Sequence, residues 1–371
     1  MQRPALDLRG AAIAVDRVRR VALSANHAPS GDNCQPWRFE WDGEALRVRR
    51  DARRAEHVLD HDGAASRLTL GCVIEALTLG AAHGERLRAE VVVSAEGEGH
   101  DAVWATARFT EGDADPAEAP LFRALPDRVT DRRMFRGGSA THPVLDAILA
   151  DAGRGDGRVA AHVTRPRGDD LLDYLAAVDG YVWQSERVYR DVMKWMRWSK
   201  REIAATRDGV PWCSAGIDLP ETSLLRLSLA PFARRLASGL GVEAASRLWL
   251  RRQLASSAAL VCVTARAPVD LVAAGRLGLR AWLRLASAGW GVQPLTLAAL
   301  FAHAASLDHL PPGTTAAQRA LFSRGRGVLT RAFGLGADES PVWMFRTGVS
   351  DPLPDHMRSL RLPVERIFRV V

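Results

Sequence analysis

The stretch "HAPSGDNCQPWRF", residues 27–39, joins a helix-like segment to strand-like sequence through a short polar turn. Pro29 and Ser30 end the helical pattern, because proline breaks a helix and serine favours a turn. The turn would expose backbone N–H groups, the Ser30 hydroxyl and the Asn33 amide, a set that suits an anion or the polar edge of a ring. A tight turn with Trp37 as a core anchor explains the same residues, and on chemistry alone that structural interpretation is preferred.

Length, composition and charge bound the class of protein. The 371 residues suffice for one large domain or two ordinary ones. A composition of 47% hydrophobic and 25% charged residues is typical of a soluble globular protein. The net charge of +7 rests on scattered arginines, since Lys194 and Lys200 are the only lysines. This scatter favours a solvated surface over a nucleic-acid-binding face, and it is compatible with a small anionic ligand.

The cysteines and the apolar stretches indicate a cytoplasmic location. Cys34, Cys72, Cys213 and Cys262 form no CxxC pair, so we expect reduced thiols rather than a disulfide framework or a zinc site. The N-terminus carries acidic residues and no apolar core of a signal peptide. The longest apolar stretch, 281–302, is interrupted by an arginine, glycines and a proline, and is too broken to span a lipid bilayer. We therefore expect no membrane and no nucleic-acid partner.

Hydrophobic periodicity predicts an α+β fold in two parts. Helices over 11–26 and 65–84 enclose a hairpin at "WRFEWDGEALRVRR", and strands follow at "RAEVVVSA" and "AVWATARFT". The acidic, proline-bearing segment 111–120 is the best candidate for a linker. Beyond it the sequence predicts helices over 143–152, 169–207, 221–255 and 271–291, and strands at "VAAHVTR", "AALVCVTA" and "PVWMFRTG".

Each part contains an apolar helix that ends in glycine and is followed by β-rich sequence. The two segments are "RLTLGCVIEALTLGAAHG" and "RLGLRAWLRLASAGWG". Internal duplication explains this weak echo, and so do two central helices of one large α+β fold.

The segment "RVTDRR" is a candidate phosphate site. Arg128, Arg132 and Arg133 surround Thr130, and guanidinium forks beside a hydroxyl suit phosphate chemistry. A solvated turn in which Asp131 pairs locally with an arginine is equally compatible with the segment.

Two further segments give weaker signals. "GWGVQPL", residues 289–295, has glycines that would let the backbone approach a flat ligand, and Pro294 leaves one donor fewer to satisfy. A helix C-cap explains Gly289 equally well. Near the C-terminus, "RSLRLP" offers Arg358 and Arg361.

Several familiar catalytic or metal motifs are missing. His57 and His61 of "HVLDHDG" lie four apart, but the glycine and aspartates around them favour a surface turn over a metal site. "GRGDG" lacks the spacing of a dinucleotide fingerprint and follows a helix instead of a strand. No P-loop and no G-x-S-x-G elbow is present.

Taken together, these segments resemble the nitroreductase family of flavin proteins. "APSGDNCQPWRF" resembles the family's A-P-S-x-x-N-x-Q-P-W-x-F segment almost letter for letter, and "RVTDRRMF" followed by "THPVLDAIL" resembles its R-x-S-x-R-x-F segment and the next helix. "LGLRAWLRLASAGWGVQPL" resembles the central dimer helix with its G-L-G-x-x-P-I continuation. "FRTGVSDPLPDHMRSLRLPVERIF" resembles the C-terminal tail. The Trp-rich middle of the chain matches poorly.

The order of these segments departs from an ordinary family member. There the arginine segment precedes the A-P-S segment in one short subunit, and FMN lies at the homodimer interface. Here the order is reversed, so the resemblance implies a nitroreductase-like fold of two fused halves, 1–115 and 116–371, that imitate the homodimer. A Trp-rich helical insert lies around 169–222. Such a chain would be a monomeric pseudo-dimer with one FMN, as in the internally duplicated Acg-type branch.

The resemblance also implies which residues bind the cofactor. The FMN phosphate would be held by Arg128, Thr130, Arg132 and Arg361. The phosphate, ribityl chain and ring edge would be contacted by Pro29, Ser30 and Asn33. Pro294 and Leu295 would lie along the ring, with a backbone N–H nearby for N5. Gln35 and Gln293 complete the implied set, whereas Arg133 is a less secure ligand because "RVTDRRMF" has one extra residue before its Phe.

The implied function is that of an FMN-dependent oxidoreductase. NAD(P)H would reduce the flavin, and a small quinone or nitroaromatic acceptor would then reoxidise it in a ping-pong cycle. No obligatory acid–base residue and no metal is implied. The alternative is a flavin-binding or storage protein with little turnover, whose ring is covered by Trp183, Trp195 and Trp198. Helix packing is the other interpretation of those tryptophans, and an oxidase or dehalogenase using FMN is a third function.

Overall fold

A computed structural model describes residues 13–60, 62–94, 101–139, 141–216, 223, 225–230 and 241–371. The predicted helices at 11–26 and 221–255 and the predicted insert at 169–222 therefore extend partly outside the described residues. The strands are β1 Trp37–Trp41, β2 Leu46–Arg50, β3 Leu87–Val93, β4 Val103–Glu111, β5 Val159–Thr164, β6 Met196–Arg197, β7 Val210–Pro211, β8 Ala259–Arg266, β9 Trp290–Pro294, β10 Glu339–Val349 and β11 Phe368–Val370. 

The helices surround two sheets. In chain order they are α1 Val15–Ala25, α2 Ala52–Ala55, α3 Ala64–Leu79, α4 Ala119–Ala124, α5 Pro143–Gly153, α6 Asp169–Asp179, α7 Tyr181–Gln184, α8 Glu186–Met193, α9 Lys200–Thr206, α10 Val242–Ala255, α11 Leu271–Ser287, α12 Thr296–Ser306, α13 Ala316–Phe333 and α14 Val364–Ile367.

The first sheet has the strand order β11-β1-β2-β4-β3. The predicted hairpin is present in this sheet as β1 and β2. Trp37 lies opposite Arg50 and Phe39 opposite Val48 in antiparallel register. The last strand of the chain, β11, pairs in parallel with β1 at the edge of this sheet. The C-terminal tail therefore crosses back to the first part of the chain, and it passes the turn at residues 29–33 on the way.

The second sheet has the order β5-β8-β10-β9 and is antiparallel throughout. Its two central strands are buried along almost their whole length, because helices cover the sheet. The predicted strands at "AALVCVTA" and "PVWMFRTG" are its centre. Strand β9 ends at Pro294, where α12 begins, and this edge of the sheet faces the cavity described below.

The two apolar helices that echo each other in sequence, α3 and α11, pack closely at the centre. A Cβ on Gly71 would lie 2.0 Å from the carbonyl oxygen of Val272, and one on Gly275 would lie 2.1 Å from that of Leu68. Only glycine at these two positions permits the backbones to approach so closely. The segment Ala64–Gly84 is long and apolar enough to cross a membrane, but 83% of it is buried inside the protein, as in a core helix.

The structure adds detail to one sequence expectation and corrects another. The acidic segment 111–120, the candidate linker, contains a 3₁₀ turn at Pro116–Glu118 that leads directly into α4, and Glu118 accepts a hydrogen bond from Arg280 of α11 at 2.6 Å. The predicted long helix over 169–207 is divided into α6, α7, α8 and α9, and the short strand β6 lies between the last two.

Candidate functional site

The turn after α1 is held in an uncommon backbone conformation. Asp32, Asn33 and Gln35 have φ values of 45°, 56° and 51°, in the left-handed region that Asn and Asp tolerate better than most residues. The Ser30 hydroxyl accepts a hydrogen bond from the backbone N–H of Gln35 at 2.9 Å and closes the turn. Trp37 is fully buried and donates to the Asn26 side chain at 3.0 Å, so its predicted role as a core anchor is confirmed.

A small cavity of about 70 Å³ opens beside this turn. Four segments that are distant in sequence form it: the turn, the loop between α4 and α5, the segment after α9 with Val210 and Ser214, and the tail before α14. The predicted site residues that line it are Pro29, Ser30, Asn33, Arg128, Thr130, Arg132 and Arg361. The fold therefore brings the predicted phosphate segments together around one concave space.

The arginines of this cavity lack carboxylate partners. Within the described residues, Arg128, Arg132 and Arg361 form no ion pair, and each donates to oxygen atoms without a formal charge. The guanidinium of Arg128 donates to the carbonyl oxygen of His27 at 3.2 Å and lies 4.4 Å from the Trp282 ring. Because buried arginine usually pairs with an acid, one buried and two half-buried arginines without such partners around one cavity form a site ready for an anion.

The pKa values of the residues around the cavity reflect this excess of positive charge. Burial lowers the pKa of Arg128 to about 9 and that of Arg361 to about 10, and burial also lowers the pKa of Arg132. Burial and the neighbouring arginines, chiefly Arg361 and Arg128, lower the pKa of His27 to about 4. At neutral pH the guanidinium groups are thus charged and the imidazole is neutral. The buried Nε of Arg361 has no hydrogen-bond partner.

Asn33 positions the arginine from the tail. Its amide nitrogen donates to the carbonyl oxygens of Gly209 and Leu360 at 3.1 and 3.0 Å, and its amide oxygen accepts from Arg361 at 2.5 Å. One side chain therefore links the turn to the segment after α9 and to the tail. All of its hydrogen-bonding groups are engaged within the protein, although it lines the small cavity.

Gln35, expected among the cofactor ligands, lines neither cavity described here. It is fully buried behind the turn, where its amide oxygen accepts from the backbone N–H of Leu362 at 2.8 Å and its amide nitrogen donates to the carbonyl of Arg207 at 3.0 Å. The structure thus gives Gln35 the role of attaching the tail to the turn.

A second, larger cavity of about 420 Å³ adjoins the small one. The residues that line both are Pro29, Ser30, Asp32, Thr130, Arg132 and Val210. The large cavity is lined mainly by apolar side chains and has a size usual for small-molecule sites. It adds the remaining predicted residues, Gln293, Pro294 and Leu295, from the junction of β9 and α12.

Gln293 is oriented by a residue that the sequence analysis missed. Its side-chain oxygen accepts from Nε of Arg346 at 2.5 Å. Arg346 is fully buried in β10 and also donates to the carbonyls of Gln253 and Arg133. A single charged residue inside the apolar strand "PVWMFRTG" was the signal that could have indicated it.

The beginning of α12 lies in the wall of the large cavity. The N–H of Leu295 donates to the carbonyl of Met344 at 2.8 Å and is therefore occupied. Thr296 and Leu297, the next residues of the wall, belong to the first turn of the helix, where no side chain caps the backbone N–H groups. Neither of these two residues was singled out from the sequence.

The predicted insert contributes mainly apolar side chains and one carboxyl group to the wall of the large cavity. Its contributions are Leu175, Val178, Val182, Val192, Met196, Val210 and Ala215, together with Asp179. Trp183, Trp195 and Trp198 line neither cavity, and the Trp183 ring packs against Tyr189 at a centroid distance of 5.4 Å. The helix-packing interpretation of these tryptophans fits the structure, and a tryptophan lid does not.

His57 does not lie in a surface turn, and that expectation was wrong. Its side chain is 10% exposed and its ring nitrogens lie 3.0 Å from Asp32 and 2.9 Å from Asp191. Burial opposes the imidazolium form, but the hydrogen bonds to the two carboxylates outweigh it and raise the pKa to about 9. His57 thus connects the turn to α8 of the insert, whereas His61 lies outside the described residues.

Arg133, the less secure phosphate ligand, points away from both cavities. It pairs with Asp131 at 2.7 Å and donates to the carbonyl of Asp351 at 2.6 Å. This local pair is the alternative that the sequence left open for "RVTDRR", and it applies to Arg133 alone.

The fold is similar to that of known nitroreductases. A putative nitroreductase from Anabaena variabilis ATCC 29413 aligns over 91% of this chain and 88% of its own, with a TM-score of 0.50 and 9% identity. The FMN-dependent nitroreductase NfnB from Mycobacterium smegmatis, solved in complex with NADPH, covers 69% of this chain and 99% of its own, with a TM-score of 0.35 and 15% identity. The likeness to the Anabaena protein shows a nitroreductase-like α+β fold, as the sequence predicted.

Sequence comparisons are less informative. No family model matches the chain. Uncharacterized protein MT1398 of Mycobacterium tuberculosis (strain CDC 1551 / Oshkosh) is 28% identical over 306 residues, which cover 79% of this chain. The match covers only 40% of the length of that relative.

Proposed function

We propose that this protein is an FMN-dependent oxidoreductase in which NAD(P)H and a small quinone or nitro-type acceptor react in turn at one cavity. The observation that carries the proposal is the pair of adjoining cavities, one large and mainly apolar and one small and lined by arginines. A flat aromatic ring with an anionic tail is the ligand shape that such a pair fits. FMN has both parts, and the solved nitroreductases with a similar fold include FMN-dependent proteins.

The small cavity fits a phosphate. Arg128, Arg132 and Arg361 supply three positive charges without carboxylate partners, and the Arg361 Nε is a buried donor that lacks an acceptor. Guanidinium groups form charge-assisted hydrogen bonds with phosphate oxygens. Thr130 adds a hydroxyl to the same wall. These residues would hold the phosphate, as the resemblance implied.

The large cavity fits a planar ring. Its walls include Pro29 and Ser30 from the turn and Gln293, Pro294 and Leu295 from the junction of β9 and α12. Because the Leu295 N–H is already bonded, the uncapped first turn of α12 is the source of a backbone donor for the ring. The aliphatic wall from the insert would exclude water from the ring.

We further propose one FMN per chain, held between two fused halves at 1–115 and 116–371. The turn that lines both cavities belongs to the first half, and the arginine loop and the tail belong to the second. Since each half holds only part of the site, a single chain would be sufficient as a pseudo-dimer. When bound, FMN would supply the hydride chemistry, and the chain itself would bind and orient the reactants.

The test is the spectrum of the purified protein, together with anaerobic reduction. We expect oxidised-flavin absorption at about one FMN per chain, bleaching by NADH or NADPH, and recovery of the spectrum when a quinone or nitroaromatic is added. Absence of flavin after addition of FMN would refute the proposal. A bound flavin that neither NADH nor NADPH bleaches would instead support flavin storage, and two flavins per chain would contradict the shared site.

A further inference from the structure

Asp179 stands alone on the apolar wall of the large cavity. It is the last residue of α6, next to Val178 and one turn from Leu175, and both neighbours line the same cavity. Its side chain is exposed and lines the cavity, in a wall whose other insert residues are mainly apolar. The carboxyl group therefore faces the space in which the proposed reactants meet.

The other charged side chains that line the large cavity all have partners. They are Asp32 and His57, which bind each other, Asp60, which accepts from Ser66, and Arg132, which donates to the carbonyl of Ser214. Asp179 forms no hydrogen bond and no ion pair in the part of the chain that the structure describes. Among the apolar residues of this wall, an unpaired carboxyl group is free to interact with a molecule in the cavity.

We propose that Asp179 is a catalytic residue, the proton donor to a quinone reduced in this cavity. This inference rests on the proposed function. Conversion of a quinone to a hydroquinone requires two electrons and two protons. A hydride brings both electrons and one proton to the quinone, and the second proton must come from an acid. The O–H bond of the Asp179 carboxyl group breaks as the O–H bond of the hydroquinone forms, and the carboxylate then regains a proton from water.

The electrostatic surroundings keep this acid available near neutral pH. Burial raises the pKa of Asp179 to about 6, and Arg132 partly opposes the rise. The other charged side chains that line the same cavity are Asp32, His57 and Asp60. From α10, the Nε of Arg247 lies 3.4 Å from the position that a Gly180 Cβ would take. An acid with a pKa near the working pH is the most effective proton donor.

The test compares Asp179→Asn with Asp173→Asn. Asp173 lies on the same helix but is exposed, pairs with Arg251 and does not line the cavity, so its replacement controls for the loss of a carboxylate from α6. For Asp179→Asn we expect unchanged flavin content and unchanged reduction by NAD(P)H. Reoxidation by a quinone should slow by roughly 10²-fold, the lower end of typical acid–base effects, and should lose its inflection near pH 6. Asp173→Asn should behave as the wild type.

Infrared difference spectra between pH 5 and pH 8 give a second measurement, which does not depend on turnover. We expect the carbonyl band of a protonated carboxylic acid to titrate near pH 6 in the wild type and in Asp173→Asn, and to be absent from Asp179→Asn. If Asp179→Asn is reoxidised at the wild-type rate and with the wild-type pH profile, the inference is wrong, but the proposed function is unaffected. If Asp179→Asn loses its flavin, Asp179 is a cofactor ligand and not a proton donor. A wild type without flavin would overturn the proposed function and this inference together.

Discussion

Arg128 is the most informative single residue to change. Its buried charge destabilises the protein without ligand, and it favours binding of an anion. Its side chain is 6% exposed, and burial lowers its pKa from 12.5 to about 9. At 1.36 kcal/mol per pH unit, this shift corresponds to a cost of about 5 kcal/mol for keeping the guanidinium charged in the fold. Both the folded and the unfolded forms are protonated at pH 7, so the cost applies in full there.

Local contacts offset much of that cost. The stacking of Arg128 over Trp282 contributes roughly 0.5–2 kcal/mol, as a cation–π interaction does. Its hydrogen bonds to the carbonyl of His27 add roughly 1.5–3 kcal/mol, because the donor is charged. Arg128→Met removes the charge and these contacts together but keeps an apolar side chain of similar length. We therefore expect the apoprotein to unfold at nearly the wild-type temperature.

Flavin binding should respond quite differently. Loss of one charge-assisted bond to phosphate, worth roughly 1.5–3 kcal/mol, should weaken FMN binding by about 10- to 150-fold. Riboflavin, which lacks the phosphate, should bind both proteins within about threefold. The assay is a fluorescence titration of apoprotein with FMN and with riboflavin at fixed salt. Arg136→Met, which removes an exposed arginine that lines neither cavity, is the control.

Two results would refute this reasoning. Equal weakening of FMN and riboflavin binding would mean that Arg128 supports the turn rather than the phosphate. Wild-type affinity for FMN in Arg128→Met would mean that the small cavity is not the phosphate site.

Three further substitutions test other contacts. Asn33→Asp replaces two donated hydrogen bonds by contacts between oxygen atoms and puts a negative charge beside Arg361. The free energy of unfolding in urea should fall by roughly 2–4 kcal/mol, and most of the bound flavin should be lost. Wild-type stability together with wild-type flavin content would contradict the assigned contacts. The folded pKa of His57, about 9, exceeds the ordinary 6.5, so its contribution is complete below pH 6.5 and lost as pH rises through 9. The unfolding free energy should therefore fall by about 3 kcal/mol more in the wild type than in His57→Gln between pH 6 and pH 10; parallel pH curves would argue against the ion pairs. Gly71→Ala should cost at least about 2 kcal/mol because its Cβ meets a backbone carbonyl, whereas Gly153→Ala, with nothing within 4 Å, should be near neutral in the same thermal scan.

The local fold was predictable where the pattern of apolar residues decides it. The alternation in "WRFEWDGEALRVRR" around an Asp-Gly turn gives the hairpin β1–β2, and the mainly apolar segments give α3 and the centre of the second sheet. Composition indicated a linker at 111–120 but could not show that Glu118 in it meets Arg280 from a distant helix. Charge and proline content describe exposure in general, and a specific buried partner overrides them.

The candidate site was predictable only in part. A short sequence segment cannot reveal a contact between residues that are far apart in the chain. The residues that the sequence did not indicate all make such contacts. His57 was misread because its second carboxylate, Asp191, comes from α8 of the insert. Arg346 was not identified as a site residue, because a strand pattern does not show that its buried guanidinium donates a hydrogen bond to Gln293. Asp179 carries no motif at all, and only the shape of the cavity distinguishes it from the other aspartates of α6.

The contacts of Asn33 depend on the order of the segments along the chain, because the tail must return to the turn for Arg361 to reach it. An arginine from the tail can reach the turn only because β11 returns to the edge of the first sheet. Asn33 and the carbonyls of His27 and Ala28 then hold the Arg361 guanidinium at the small cavity. Because the protein's own contacts fix these charges before any ligand arrives, an anion would meet a preorganised site and little ordering would be needed on binding. The polar groups of the turn thus hold the arginines in position, and the arginines provide the charge for binding.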